Sequence, residues 1–299
     1  MPAVFFSAIQ STMIAPRKLR DLDLAAASGI AALGSLLYVV ADDETDLRVL
    51  ARDGAPLGTI PLFAESLPED PVARKAAKPD LEAVTLLPDS RVLVLGSGST
   101  PARMRGAAVP PWPCADSPRL IDLAPLYQSL SRKIPELNIE GAAASQGLLR
   151  LFHRGNGAAG VSAVVDLSLD GVLDALCASR PWDQGLVREI HRVQLGSLQG
   201  IPLGFTDAAP LPGGQLIFSA AAEDSPDTYR DGPCAGSIVG LMDADLRVLW
   251  TKLIDTPTKI EGLHASLSSH GASIELLMVA DADDPRQKSP LLEASILTR

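Results

Sequence analysis

Cysteine is scarce in this sequence. Cys114, Cys177 and Cys234 stand far apart, are odd in number, and form no C-x-x-C or Cys/His spacing. That argues against a disulfide framework and a zinc site, and reads as three reduced thiols inside a cell. Long apolar runs are also missing: no stretch approaches the ~18 consecutive residues a membrane helix needs. The opening M-P-A-V-F-F-S-A-I-Q-S-T-M-I-A-P has neither the early Lys or Arg nor the long apolar core of a signal peptide. The expectation is a cytoplasmic protein with no membrane partner. Basic charge is short as well, with Lys and Arg at 26 against Asp and Glu at 36, net charge −10. A field of that sign repels nucleic acid, while local basic clusters can still hold a small anionic molecule. No G-x-S-x-G elbow or Ser/His/Asp set is found, so covalent catalysis is not expected. G-S-G-S at 96–99 lacks the Lys-Ser/Thr ending of a P-loop.

What is present is a repeat, carried by a chain with 46% hydrophobic residues, enough for a large core. An apolar residue, then an acidic or hydroxyl residue, then one or two small residues or an aspartate recur around Ser28, Glu82, Glu140, Thr206 and Glu261. The period is ~54–66 residues, a little longer than the common propeller repeats. Each anchor opens a short apolar run, followed by a Gly/Pro/Asp/Ser turn and a second apolar strand such as L-L-Y-V-V-A, R-V-L-V-L-G or Q-L-I-F-S-A. Paired runs joined by such turns are antiparallel hairpins. Further strands follow at 47–54, 161–168, 237–243 and 246–252.

Five such units predict an all-β fold, a five-bladed β-propeller in a single domain over 1–299, with blades starting near 27, 80, 138, 204 and 259. Six blades is the other count, because 170–200 is long enough to hold extra strands. Insertions at 101–133 and 170–200 carry the best helical candidates, A-P-L-Y-Q-S-L-S-R-K and D-G-V-L-D-A-L. The last unit has room for three strands, 260–268, 273–280 and 291–298. Residues 1–20, with strand-like V-F-F-S-A-I-Q and S-T-M-I-A, are expected to complete that blade and close the ring.

Innermost strands line a propeller's channel, so the five anchors should converge on the axis at one face. Three carboxylates there repel one another unless a cation neutralises them. Carboxylates and hydroxyls alone suit a hard cation such as calcium, which takes about 6–8 oxygen ligands. The metal set is therefore Ser28, Glu82, Glu140, Thr206 and Glu261, for Ca²⁺ or another hard divalent cation. A structural ring of hydrogen-bonded polar groups is the other reading.

The pattern resembles the soluble calcium-activated nucleotidases (apyrases), a five-bladed propeller family whose central calcium is held by Ser, Glu, Glu, Ser and Glu, one per blade. L-Y-V-V-A-D-D-E-T after the first anchor, G-F-T-D at the fourth and K-I-E-G at the fifth carry the likeness, over roughly 25–284. The chain is similar more loosely to esterase-like phytase and uncharacterised bacterial propellers. Two departures stand out: D-L-D at 21–23 lies only five residues before Ser28, and Asp43-Glu44-Thr45 stands where the family tends to have Asp-Arg-Thr. Losing that arginine removes a phosphate partner.

A hydrolase of a phosphate-containing or ester small molecule also needs an anion-binding rim. The candidates are Arg103 and Arg154 as catalytic cations and Asp43 as the base that orients water. Arg105, His153, Arg230 and Lys259 complete the anion or substrate rim. The competing class is a non-catalytic propeller that binds a small ligand or a protein, its metal or polar ring purely structural.

Overall fold

A computed structural model describes residues 13–298, apart from 115, 156–159, 225–231, 233, 257 and 282–285. Among the described residues the strands form five antiparallel sheets, set around an axis as the blades of a propeller. After β1 (Arg17–Asp21), the first blade is β2 (Ala27–Leu33), β3 (Leu36–Ala41), β4 (Asp46–Ala51) and β5 (Pro56–Pro61). Helix α1 (Pro71–Ala77) leads to the second blade, β6 (Leu81–Leu86), β7 (Val92–Gly96), β8 (Arg105–Val109) and β9 (Arg119–Asp122). Helix α2 (Ala124–Ser131) precedes the third, β10 (Ile139–Ser145), β11 (Leu148–His153) and β12 (Ser162–Ser168), then helix α3 (Leu169–Cys177) and β13 (Val187–Val193). The fourth blade adds a two-residue strand, β14 (Ser197–Leu198), to β15 (Ile201–Pro210), β16 (Leu216–Glu223), β17 (Cys234–Met242) and β18 (Val248–Leu253). The fifth is β19 (Lys259–Leu267), β20 (Ser273–Asp281) and β21 (Pro290–Leu297), with β1 as its outer strand.

Hydrophobic burial is organised between blades. Each of five core clusters draws on two neighbouring sheets, and one joins Leu277, Val279 and Leu291 of the fifth blade to Ile30, Leu37 and Val39 of the first. That last cluster seals the ring.

The closing strand is R-K-L-R-D at 17–21, paired with 290–293 of β21. This strand falls within the N-terminal stretch 1–20 expected to complete the blade, just after the apolar text that suggested it. V-F-F-S-A-I-Q lies outside the described residues. Within S-T-M-I-A, Ile14 makes a single parallel bridge to Ile254 and packs between blades four and five. The physical reason is position: an outermost strand is solvated on its free side, so charge rather than apolar alternation protects it. Stretch 170–200 holds α3 and β13, the fourth strand of blade three, and the described residues form five blades. Stretch 101–133, expected as an insertion, supplies strands three and four of blade two as well as α2.

Candidate functional site at the propeller axis

The five anchors share one structural position. In every innermost pairing the register slips by one residue, between Ala27 and Gly29, Leu81 and Ala83, Ile139 and Gly141, Phe205 and Asp207, and Ile260 and Gly262. The residue left unpaired is Ser28, Glu82, Glu140, Thr206 or Glu261. A β-bulge of this kind re-aims one side chain and bends the strand. The repeat in the sequence is thus the repeat of a bulge. The small residue after it lets the inner strands meet. A Cβ on Gly29 would lie 2.6 Å from the Glu82 carbonyl oxygen, and one on Gly262 would lie 2.9 Å from Gly29 Cα. In the fourth blade this place is taken by Asp207, fully buried, whose carboxylate accepts from Ala208 N at 2.7 Å and Leu263 N at 2.8 Å. It ties β15 to β19.

The hydroxyl anchors turn towards protein atoms. Ser28 Oγ donates to the Leu81 carbonyl, and Thr206 Oγ1 bonds Ser219 Oγ at 2.9 Å. Two of the acidic anchors, Glu140 and Glu261, are the ends of a chain of ion pairs. Arg154 bridges Glu140 at 3.4 Å and Glu223, and Lys259 bridges Glu223 at 3.1 Å and Glu261 at 2.7 Å. On the side of blades one and two, Lys78 joins Asp42 to Asp80, at 2.8 Å from the latter. Asp80 also receives Arg103 at 2.7 Å and Ser97 Oγ at 2.6 Å. Carboxylate oxygens of Asp42, Asp80 and Glu82 come within 4.8 Å of one another.

Six carboxylates, Asp42, Asp80, Glu82, Glu140, Glu223 and Glu261, therefore face four cations, Lys78, Arg103, Arg154 and Lys259. The imbalance shows in the proton affinities. Burial, then Glu140, Asp80, Asp42 and Glu261, hold the Glu82 carboxyl well above its ordinary range. Burial pushes Glu140 up to about 8 against the pull of Arg154. Asp42 is pushed up to about 6, again mainly by burial and against Lys78. Burial also raises Asp207, against its two backbone donors. Lys78 and Lys259 hold their protons more tightly, because neighbouring carboxylates outweigh desolvation.

These residues fit a hard divalent cation on two observations. Glu261 Oε2 is enclosed without a hydrogen-bond partner, and Glu82 has no counter-ion among the described residues. Oxygen-only donors with an excess of two negative charges match calcium or magnesium better than zinc.

The remaining candidates separate. Arg103, Arg154 and Lys259 come together at the axis, each nine-tenths buried or more and each held by the protein's own carboxylates. Asp43 sits at the same rim. Its Oδ1 is enclosed with no partner among the described residues, and its carbonyl accepts from Arg74 of α1 at 2.7 Å. Arg105 lies apart, 3.2 Å from Glu65 and stacked 4.2 Å from the Phe63 ring centroid. His153 faces a separate cavity. Arg230 falls outside the described residues. Sequence reasoning missed Asp80 and Lys78, and it passed over Asp207. A signal existed: Asp80, Asn138 and Lys259 each stand two residues before an anchor. Period-two spacing along a strand puts such pairs on one face. The α1 segment carried no such cue.

A family model, described as a family of unknown function (DUF6929), matches residues 23–296. The chain belongs to the DUF6929 family. The match spans all five inner strands and every bulge. No curated protein sequence matches the chain. Among solved structures, the glutaminyl cyclase of Myxococcus xanthus superposes with a TM-score of 0.52 at 11% identity, over 96% of this chain and 100% of that one. The tail fiber of Staphylococcus aureus phage P68 gives 0.52 at 11% identity, over 95% of this chain and 53% of that one, about half its length. Likeness at this identity concerns the fold alone. The comparisons support a propeller and not a nucleotidase in particular.

Proposed function

We propose that the axial cluster holds a hard divalent cation, calcium first, and that the protein is a metal-dependent hydrolase of a small phosphate-containing or ester molecule. The observation that carries the metal is the charge excess: among the described residues six carboxylates face four cations, and Glu82 has no counter-ion there. Glu82, Glu140 and Glu261 would hold the ion, with Asp42 and Asp80 on its flank. The likeness of the anchor order to the calcium-activated nucleotidases supports the same choice. When bound, such a cation polarises a phosphoryl or carbonyl oxygen. Asp43, next to Asp42, would orient a water molecule at the rim. Arg154 and Lys259 hold the acidic anchors in position.

One observation favours the non-catalytic reading. Arg103, Arg154 and Lys259 are bound to carboxylates of the protein, which leaves them fewer donors for a substrate anion. Calorimetry of chelator-stripped protein with calcium, followed by phosphate release from a nucleotide and phosphoester panel, separates the two. Binding with turnover supports the hydrolase. Binding without turnover leaves a metal-stapled ligand binder, and no calcium binding removes the metal from both.

A further inference from the structure

Blade three carries a second cavity, of about 130 Å³, that shares no lining residue with the axial cluster. Its floor is apolar, made by Ile134, Val161, Ala163 and Ile190. Its mouth carries exposed Lys133 and Arg192, together with Glu136. One row of paired residues crosses the sheet here, from Ile139 to His153, then Ala163, then Arg192. That row brings the buried imidazole and the exposed guanidinium into one cleft, roofed by the connection from α2 to β10.

The hydrogen bonds of His153 fix its proton. Nδ1 lies 3.1 Å from both the amide nitrogen and the carbonyl oxygen of Asn138. The carbonyl already accepts Arg154 N–H at 3.0 Å. The amide N–H has Nδ1 as its acceptor, and a buried N–H left without one is costly. Nδ1 is therefore the bare nitrogen, and Nε2 carries the hydrogen. No protein group bonds Nε2 among the described residues. Burial pushes the ring's pKa down to about 4, so at neutral pH it is an uncharged, single donor.

We propose that this cavity binds a small carboxylate with a short branched or aromatic body. The apolar part packs on Ile134, Val161, Ala163 and Ile190, one carboxylate oxygen accepts from His153 Nε2–H, and Lys133 and Arg192 attract the charge at the mouth. The volume sets the size: a cavity of about 150 Å³ takes benzene, so about 130 Å³ suits a ligand of isobutyrate size, with a single small ring as the upper limit. This site does not depend on the axial reading and holds whether or not the axis binds metal.

The test is a titration of the full chain with isobutyrate, and with neutral isobutyramide, followed by the imidazole ¹⁵N resonances. His191, His264 and His270 serve as internal controls. The expected result is a saturable shift at His153 alone, from a ring already in the Nε2–H form, with the amide about tenfold weaker or worse. Arg192→Ala, at an exposed position, keeps the fold and weakens isobutyrate several-fold. His153→Phe, which has no donor, abolishes binding measured by calorimetry. An Nδ1–H signature, no saturation at His153, equal shifts with amide and acid, or binding unchanged in both variants would overturn the proposal.

Discussion

The surroundings of His153 and Glu140 bend their acid–base behaviour with opposite signs. The His153 pKa falls from 6.5 to about 4 through burial. Between those values the unfolded chain binds a proton that the folded chain refuses. Stability present above pH 6.5 is therefore lost as pH falls towards 4, by up to ~3 kcal/mol from this residue. His264, lowered to about 4 by burial and Arg52, adds to the same slope. Melting curves from pH 7 to pH 4 should show the decline, and His153→Gln should make it shallower. Glu140 runs the other way. Its carboxyl is held up to about 8 from 4.5, so the folded chain keeps a proton that the unfolded chain releases. Without metal, stability should fall as pH rises from about 4.5 to about 8. Glu140→Gln, a neutral mimic, should flatten that slope. In the same variant calcium affinity should drop by at least about tenfold, since a ligand charge is gone. Calcium binding to the wild-type chain at pH 7 should release at least about one proton, because Glu82 and Glu140 both have raised carboxyls and ligands bind deprotonated. Calorimetric enthalpies in buffers of different ionisation heat measure that number, and none released would mean Glu140 does not bind the ion.

The working element is the bulged inner strand. Each one carries an unpaired polar residue and, in four blades, a small residue directly after it. Gly29 shows why the second feature is needed: an added Cβ meets the Glu82 backbone at 2.6 Å, and backbone cannot swing aside. Gly29→Ala should cost about 1–3 kcal/mol through overpacking. Urea unfolding checks this, and an unchanged midpoint would show that the inner strands part to admit a methyl group. This level was largely legible in the sequence. Ser28, Glu82, Glu140, Thr206 and Glu261 each occupy the bulge, because a local backbone device needs its own residue pattern every time it recurs. Helices α2 and α3 were legible for the same local reason. Helix α1 was not: P-V-A-R-K-A-A is short, has no buried residue, and owes its start to the Asp70 cap at 2.9 Å from Ala73 N.

At the scale of the whole molecule, stability rests on closure. Strand β1 covers the edge of β21, with Arg17 bonded to Glu293 and Lys18 opposite Leu292. Deleting residues 1–21 should lower the melting temperature and promote association, since the fifth blade would expose an unpaired edge. Scanning calorimetry with light scattering reads both effects, and a truncated chain that melts like the full one would place closure in the side-chain core instead. By itself the sequence determined the strands, the period and the anchor positions. Those depend on apolar spacing and turn chemistry within a few residues. Only the tertiary structure decided which charges meet. Arg154 finds Glu223 across 69 positions and Lys259 finds Glu223 across 36. Lys78, in the connection after α1, meets Asp42 of blade one across 36 positions. Burial then sets which carboxylates keep protons, and burial at an axis belongs to the ring and to no single repeat.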